Sequence, residues 1–137
     1  MKRIAFITIM CWGAMSFAQG KDKQLIGDWQ LFEIIDNLTG LTVPITHKSS
    51  DSAIYKIQFE ESKVRYNMEI NKCENEYFVS KDGTIEFKYF SACSEFCCDG
   101  DFSTLLTYDE ATKYYIKEGR TLILVSEDRI FYFKKSD

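Results

Sequence analysis

Apolar and polar residues alternate with a period of two along most of this chain of 137 residues. Apolar side chains occupy every second position from Tyr55 to Phe59 and again from Val64 to Ile70, with the polar break Glu61-Ser62 between them. Successive side chains of a β-strand point to opposite faces, so this period predicts two strands that each bury one face. A short polar break between two such runs predicts a β-hairpin.

The same alternation predicts further strands on both sides of this hairpin. The runs "NEYFV" and "TIEFKYF" flank Asp82-Gly83, a dipeptide that strongly favours a hairpin turn. The other predicted strands are 27–35, 113–116, 121–125 and 129–133. In the first of these, Trp29, Leu31 and Glu33 are expected to share one face.

One segment departs from the period of two. Phe102, Leu105 and Leu106 recur at helical spacing, and Asp101 before them is a residue type that caps helix N-termini. This pattern predicts one short helix over roughly 102–110. About eight strands with one short helix predict a mainly β fold, a small antiparallel barrel-like or strongly curved sheet.

The first twenty residues, "MKRIAFITIMCWGAMSFAQG", have the pattern of a secretory signal peptide. Lys2 and Arg3 precede an apolar run shorter than the ~20 residues that a membrane-spanning helix needs. Small residues stand at positions −3 and −1 of a cleavage site between Ala18 and Gln19. The sequence therefore predicts a signal peptide over 1–18, export to the periplasm or the medium, and one mature domain over 19–137 without a transmembrane segment.

Cleavage at this site makes the chain more acidic. Loss of Lys2 and Arg3 from the 17 basic residues leaves 15 against 21 acidic ones. An acidic surface with dispersed basic residues repels phosphate backbones, which argues against nucleic acid as a partner.

Four cysteines remain in the predicted mature domain: Cys73, Cys93, Cys97 and Cys98. An even number in a short exported chain predicts disulfides, because the compartments outside the cytoplasm are oxidising. Zinc is disfavoured, since structural zinc sites usually draw ligands from two Cys-x₂₋₄-Cys pairs and this chain has one cluster. A redox site is disfavoured as well, since it would need Cys-x-x-Cys at the start of a helix.

The pairing of these cysteines is open, because four cysteines allow three connectivities. Cys97 and Cys98 bond to each other in one of them, which leaves Cys73 to Cys93. In the other two, Cys73 bonds to Cys97 or to Cys98. A bond from Cys73 into the 93–98 cluster closes a loop that the chain-entropy model expects to stabilise the fold by about 3 kcal/mol.

Residues that could carry catalysis are scarce. His47, the only histidine, lies in a Ser/Thr-rich stretch without a nucleophile nearby, so we expect a solvated loop residue. The aspartates of Asp99-Gly100-Asp101 lack the rest of a calcium-loop pattern. The sequence therefore predicts no enzyme, no metal site and no cofactor.

Most aromatic residues fall on the inward phase of the predicted strands, where they would fill the interior. Tyr89, Tyr115 and Tyr132 fall on the opposite phase and could line a ligand surface. The residues expected to point inward, and to line a cavity if the barrel is hollow, are Trp29, Tyr55, Ile57, Val64, Tyr66 and Phe87.

Four stretches resemble the META-domain (HslJ-like) family: "LIGDWQLFEI", "NKCENEYFV", "SAC" and "FSTLLTYDEATKYYIKEGRTLILV". Together they cover nearly the whole predicted mature chain. The family's Gly-Cys-Asn appears here as Lys72-Cys73-Glu74-Asn75, and the segment 97–100 is not part of the family pattern. The "GDW" of the first stretch is also similar to the Gly-x-Trp of lipocalin-like barrels.

Each resemblance implies a function without a catalytic residue. META domains are generally regarded as accessory envelope or secreted proteins, so this one implies a non-enzymatic interaction domain. The lipocalin resemblance implies the alternative, a carrier of a small apolar ligand, so the partner implied by the two resemblances is a protein or a small apolar ligand. The META resemblance also favours one disulfide, because its Cys-Asn and Ala-Cys motifs correspond to Cys73 and Cys93. It would leave Cys97 and Cys98 either as a vicinal pair or as two thiols.

Overall fold

The structure is a computed structural model that describes residues 22–46, 55–88, 92–95 and 100–136. These residues form ten β-strands and two short 3-10 helical turns. The turns are Asp101–Leu105 and Tyr108–Glu110. The strands are β1 (Gly27–Asp36), β2 (Thr42–Val43), β3 (Lys56–Phe59), β4 (Lys63–Asn67), β5 (Lys72–Val79), β6 (Ile85–Phe87), β7 (Ala92–Cys93), β8 (Lys113–Lys117), β9 (Thr121–Val125) and β10 (Arg129–Lys135).

Eight of these strands form a continuous antiparallel wall in the order β6-β5-β4-β3-β1-β10-β9-β8, while β2 pairs with β1 and β7 with β5. The two ends of the wall meet at a bridge between Thr84 and Lys113. Next to it, the Ile85 N–H donates to the Thr112 carbonyl at 3.0 Å. The wall therefore nearly closes into a barrel, which confirms the predicted mainly β, barrel-like fold.

The predicted hairpins are confirmed. Ile57 pairs with Tyr66 across β3 and β4, and β9 and β10 pair along their length. Between β5 and β6, Gly83 has a φ of +84°, which glycine adopts without steric cost. The Asp82 carboxylate accepts the Thr84 N–H at 3.1 Å and closes this turn.

The predicted helical segment is confirmed as the two 3-10 turns, but the role assigned to Asp101 is wrong. Gly100 takes the N-cap position, no side chain caps the first turn, and Asp101 is its first helical residue. The Gly100 N–H instead donates to the Glu69 carboxylate at 2.5 Å. A Cβ on residue 100 would stand 2.6 Å from that carboxylate, so glycine permits the contact. No helix among the described residues is long and apolar enough to cross a bilayer.

Strand β1 contains a bulge that sequence periodicity did not predict. Its register against β10 shifts between Leu31 and Glu33, which inserts Phe32 as an extra residue. Ile34, not Glu33, then rejoins Trp29 and Leu31 in the core. The expected inward position of Glu33 is wrong, and the bulge spares its carboxylate burial in the apolar interior.

Tyr108 lies at the centre of the core. Its side chain, supplied by the second 3-10 turn, is fully buried. Its ring centroid lies 5.5 Å from that of Tyr66 on β4, 5.0 Å from Phe131 and 5.4 Å from Phe133 on β10. The turn thus inserts one aromatic ring between two separate parts of the wall and joins them.

Buried tyrosines predict a loss of stability in alkali. Burial, above all, raises the pKa of Tyr77 to about 12 and that of Tyr114 to about 12, against about 10 in an unfolded chain. Folding favours their neutral form, so this stabilisation is full below pH ~10 and is lost between about pH 10 and 12. Urea unfolding followed by tryptophan fluorescence from pH 8 to 11.5 should show that decline. The decline should be shallower in Tyr77→Phe/Tyr114→Phe, and an equal slope in both proteins would contradict the assignment.

Candidate interaction surface

The residues predicted to point inward do so, with one exception. Five of the six are almost fully buried in one core cluster: Trp29, Tyr55, Ile57, Val64 and Tyr66. Phe87, on the short strand β6, is only partly buried and packs against that cluster. Together with Tyr108 these side chains occupy the interior positions of the barrel.

A second group of contacts holds one end of the interior. The Tyr55 hydroxyl lies 2.9 Å from Oε1 of Glu69 and 2.9 Å from the Thr46 carbonyl, and the other Glu69 oxygen accepts the Gly100 N–H. Tyr55 has a φ of +61°, and its ring packs 5.0 Å from that of Phe102. The Glu69 carboxylate therefore joins three chain segments, which gives it a structural role.

Cys73 and Cys93 form a disulfide with a sulfur–sulfur distance of 2.03 Å. They face each other across β5 and β7. This confirms that Cys73 bonds into the 93–98 cluster, and of the three connectivities it selects the one that leaves Cys97 and Cys98 to each other. Those two cysteines lie outside the described residues, so their own pairing stays a prediction.

Two other residues singled out in the sequence, His47 and Tyr89, also lie outside the described residues. Within the described part of the chain, no group of three or more His, Cys, Asp or Glu side chains is arranged to hold a metal ion.

The outer surface of β3 to β6 is charged and internally paired. Glu74 on β5 accepts from Lys63 at 2.6 Å and from Arg65 at 2.8 Å. Arg65 also pairs with Glu60, and Lys88 pairs with Glu76 at 2.9 Å. The hydrogen bonds from Lys63 and Arg65 lower the pKa of the Glu74 carboxyl. These charges neutralise one another on the surface of a single barrel.

The outer surface of β1, β10, β9 and β8 is different, because an apolar stripe runs from β8 across β9 and β10 to the bulge of β1, where Glu33 pairs with Tyr132 beside Phe32. Tyr132 pairs with Ile123, and Ile123 with Tyr115, while the bulged Phe32 places its ring 6.2 Å from that of Tyr132. Phe32 is 49% exposed and Tyr115 50% exposed, whereas Ile123 between its neighbours is only 6% exposed. We call Phe32, Tyr132, Ile123 and Tyr115 the aromatic stripe.

Two residues further along these strands lies a parallel row of aliphatic side chains. Ile130 pairs with Ile35 on one side and with Val125 on the other. All three are half-buried and stand apart from the core cluster. We call Ile35, Ile130 and Val125 the aliphatic row.

An acidic groove of about 570 Å³ follows the aliphatic row at the end of the strands. It shares Val125 with that row, and Lys113, which pairs with Val125, also lines it. Glu110, Glu127 and Asp128 supply three carboxylates against the single ammonium of Lys113, so the groove carries a net negative charge. The complete list of lining residues is Glu110, Thr112, Lys113, Val125, Ser126, Glu127 and Asp128.

Part of this surface was visible in the sequence. Tyr115 and Tyr132 stand out there because they fall on the opposite phase from their apolar neighbours. Phe32 was missed because the bulge in β1 changes the phase, and Ile123 because "TLILV" is apolar on both faces. The acidic groove was missed because it combines two separate segments, 110–113 and 125–128.

Comparison with known proteins finds no matching family model, no matching curated protein and no matching solved structure.

Proposed function

We propose that this chain is an exported, non-enzymatic small β domain of META type that acts as an accessory envelope or secreted interaction protein. The observation that carries the proposal is the aromatic stripe, two of whose rings are about half exposed. Tyrosine and other aromatic side chains are enriched at the centres of protein interfaces, where they bury a large apolar area.

The contrast between the two halves of the barrel supports this choice of surface. A contiguous apolar patch on a soluble domain usually marks a contact site. The half formed by β3 to β6 carries several ion pairs and exposes Phe78 on β5, while the half with the stripe presents apolar side chains that adjoin one another across neighbouring strands. A partner that covers the stripe gains hydrophobic free energy without breaking existing ion pairs.

The alternative is a lipocalin-like carrier, which needs room inside the barrel for an apolar ligand. The interior positions are instead occupied by large side chains in mutual contact around Tyr108. This packing supports the interaction domain over the carrier.

Three surface carboxylates are unsuited to donate a proton in acid–base catalysis. A carboxylic acid that donates a proton near neutral pH needs a raised pKa. The pKa values of Asp36, Glu74 and Asp82 are lowered, chiefly by hydrogen bonds from Thr39, Lys63 and Thr84. These three groups stay ionised and hold turns and strands in place.

Substitutions in the stripe test the proposal. We expect Phe32→Ser/Tyr115→Ser/Tyr132→Ser to weaken saturable binding of the purified protein to an envelope fraction of its host by about ten-fold or more. The control Phe78→Ser/Ile70→Ser removes two other exposed apolar side chains and should bind as the wild type does. Circular dichroism checks that both variants fold. Equal binding by the folded stripe variant and the wild type would contradict the proposal.

A further inference from the structure

The outer face of β1, β10, β9 and β8 carries charge at both ends. Lys117 on β8 and Lys134 on β10 both pair with Thr121 on β9, so the two lysines share one row. This basic row lies two residues from the aromatic stripe, on the side away from the aliphatic row. Along the strands the order is therefore basic row, aromatic stripe, aliphatic row and acidic groove.

The charges at the two ends have no ion-pair partner among the described residues. Neither Lys117 nor Lys134 forms an ion pair with another described residue. The same holds for the carboxylates of Glu127 and Asp128, whose backbone carbonyls alone accept hydrogen bonds, from Asn37. Both ends are exposed, so each is free to meet an opposite charge from outside.

We propose that the partner of this face is a second copy of the chain, bound about a two-fold axis that runs across the strands between the aromatic stripe and the aliphatic row. The inference rests on the proposed function for its choice of surface and names the partner. Such an axis reverses the order of the four bands in the second copy. The basic row of each copy then lies over the acidic groove of the other, and each stripe packs on the opposite aliphatic row.

The spacing of the bands agrees with this arrangement. At ~3.3 Å per residue, the stripe lies about 7 Å and the aliphatic row about 13 Å from the basic row. The groove starts at Val125 in the aliphatic row, and its residues Glu127 and Asp128 follow at about 20 Å. Bands equidistant from the axis are therefore complementary in charge or in shape. The two sheets would stack face to face with their strands nearly aligned, a common packing of antiparallel sheets.

The size of the face sets the strength of the dimer. Four strands at ~4.8 Å and a length of about 20 Å give a footprint of roughly 19 by 20 Å. This is smaller than the ~800 Å² per partner of a standard stable interface. The dimer should therefore be weak, with a monomer–dimer equilibrium that depends on concentration and, through its charges, on salt.

Charge reversal distinguishes this dimer from any other association. In Lys117→Glu/Lys134→Glu both ends of the face are acidic, and in Glu127→Lys/Asp128→Lys both ends are basic. Each variant alone should self-associate about ten-fold or more weakly than the wild type, because like charges meet twice across the axis. An equimolar mixture should regain the dimer, since opposite charges meet at both ends of the mixed pair.

Sedimentation velocity from about 5 µM to 1 mM, at low and high salt, measures these equilibria, and native mass spectrometry identifies the mixed dimer. The control Lys72→Glu/Lys81→Glu makes the same change in net charge away from the face and should dimerise as the wild type does. Lost dimerisation in each variant, restored on mixing, supports the proposal. A wild type that stays monomeric at 1 mM, or variants that dimerise unchanged, would overturn it.

The same experiments separate this inference from the proposed function. A monomeric wild type whose envelope binding still depends on the stripe overturns the dimer and leaves the interaction domain standing. If dimerisation depends on the charges and the stripe variant binds the envelope fraction as the wild type does, the dimer is supported. The case for an envelope partner at this face is then removed.

Discussion

Tyr108→Ala is expected to lower the free energy of unfolding by about 3–5 kcal/mol, the range for truncating a buried aromatic side chain. The ring is fully buried and contacts Tyr66, Phe131 and Phe133 from two parts of the wall. Truncation would leave a cavity between these parts and remove the contact that holds the second 3-10 turn in the interior. A loss of this size is comparable to the total stability of many small domains.

Tyr108→Phe removes the hydroxyl and keeps the ring, and it should raise the free energy of unfolding where Tyr108→Ala lowers it. The Tyr108 hydroxyl is buried and has no hydrogen-bond partner among the described residues. Burial raises the pKa of Tyr108 well above its ordinary value, so the group stays neutral. Removal of an unsatisfied buried hydroxyl relieves a desolvation penalty, and we expect a gain of about 1 kcal/mol.

Urea unfolding of both variants measures these effects, with Tyr77→Phe as the matched control. The Tyr77 hydroxyl donates to the Glu60 carbonyl at 2.5 Å, so its loss should destabilise by about 1 kcal/mol. A Tyr108→Phe protein less stable than the wild type would show that the hydroxyl has a partner, and the account of an unsatisfied group would be wrong.

The wall of the barrel was predictable because its signal is local. Alternation with a period of two identifies Ile57, Val64 and Tyr66 as inward residues from their immediate neighbours alone. The Asp82-Gly83 turn is equally local, since one glycine and one carboxylate determine its geometry.

The features that sequence reasoning missed depend on contacts between distant segments. Glu69 lies 31 residues before Gly100 and holds the N-cap residue of the first 3-10 turn by accepting its N–H, while no side chain caps the turn. Tyr108 comes after the apolar positions of the predicted helix, so that pattern did not identify it as a core residue. The segment instead forms two 3-10 turns, and the second turn places the Tyr108 ring in the core. The bulge at Phe32 likewise follows from the pairing of β1 with β10 and not from β1 itself.

Reduction of the Cys73–Cys93 disulfide is expected to lower the free energy of unfolding by about 3 kcal/mol, within the range of 2–5 found for small exported domains. The bond links residues 20 positions apart, and the loop between them contains most of β5 and all of β6. Without the bond, the unfolded chain gains the conformational freedom of that loop, while the folded wall keeps its other contacts.

Local structure should respond to the same change. Strand β7 has two residues and, within the described part of the chain, pairs only with β5. Besides the disulfide, Lys72 and Ser94 hold it through two hydrogen bonds of 3.0 Å. Amide hydrogen exchange should therefore accelerate in 92–95 on reduction, while β9 and β10, far along the sheet, keep their protection.

Urea unfolding with and without reductant, together with Cys73→Ala/Cys93→Ala, measures the loss, and Cys97→Ser/Cys98→Ser is the matched control. If the control pair bond only to each other, they close no long loop, and their removal should change stability by less than about 1 kcal/mol. If the control lost more stability than Cys73→Ala/Cys93→Ala, the assignment of the stabilising cross-link to Cys73 and Cys93 would be wrong. Four titratable thiols in the freshly isolated, denatured protein would contradict the disulfide and return metal or redox chemistry to this cluster, because reduced thiols in the exported domain that we propose would need another role.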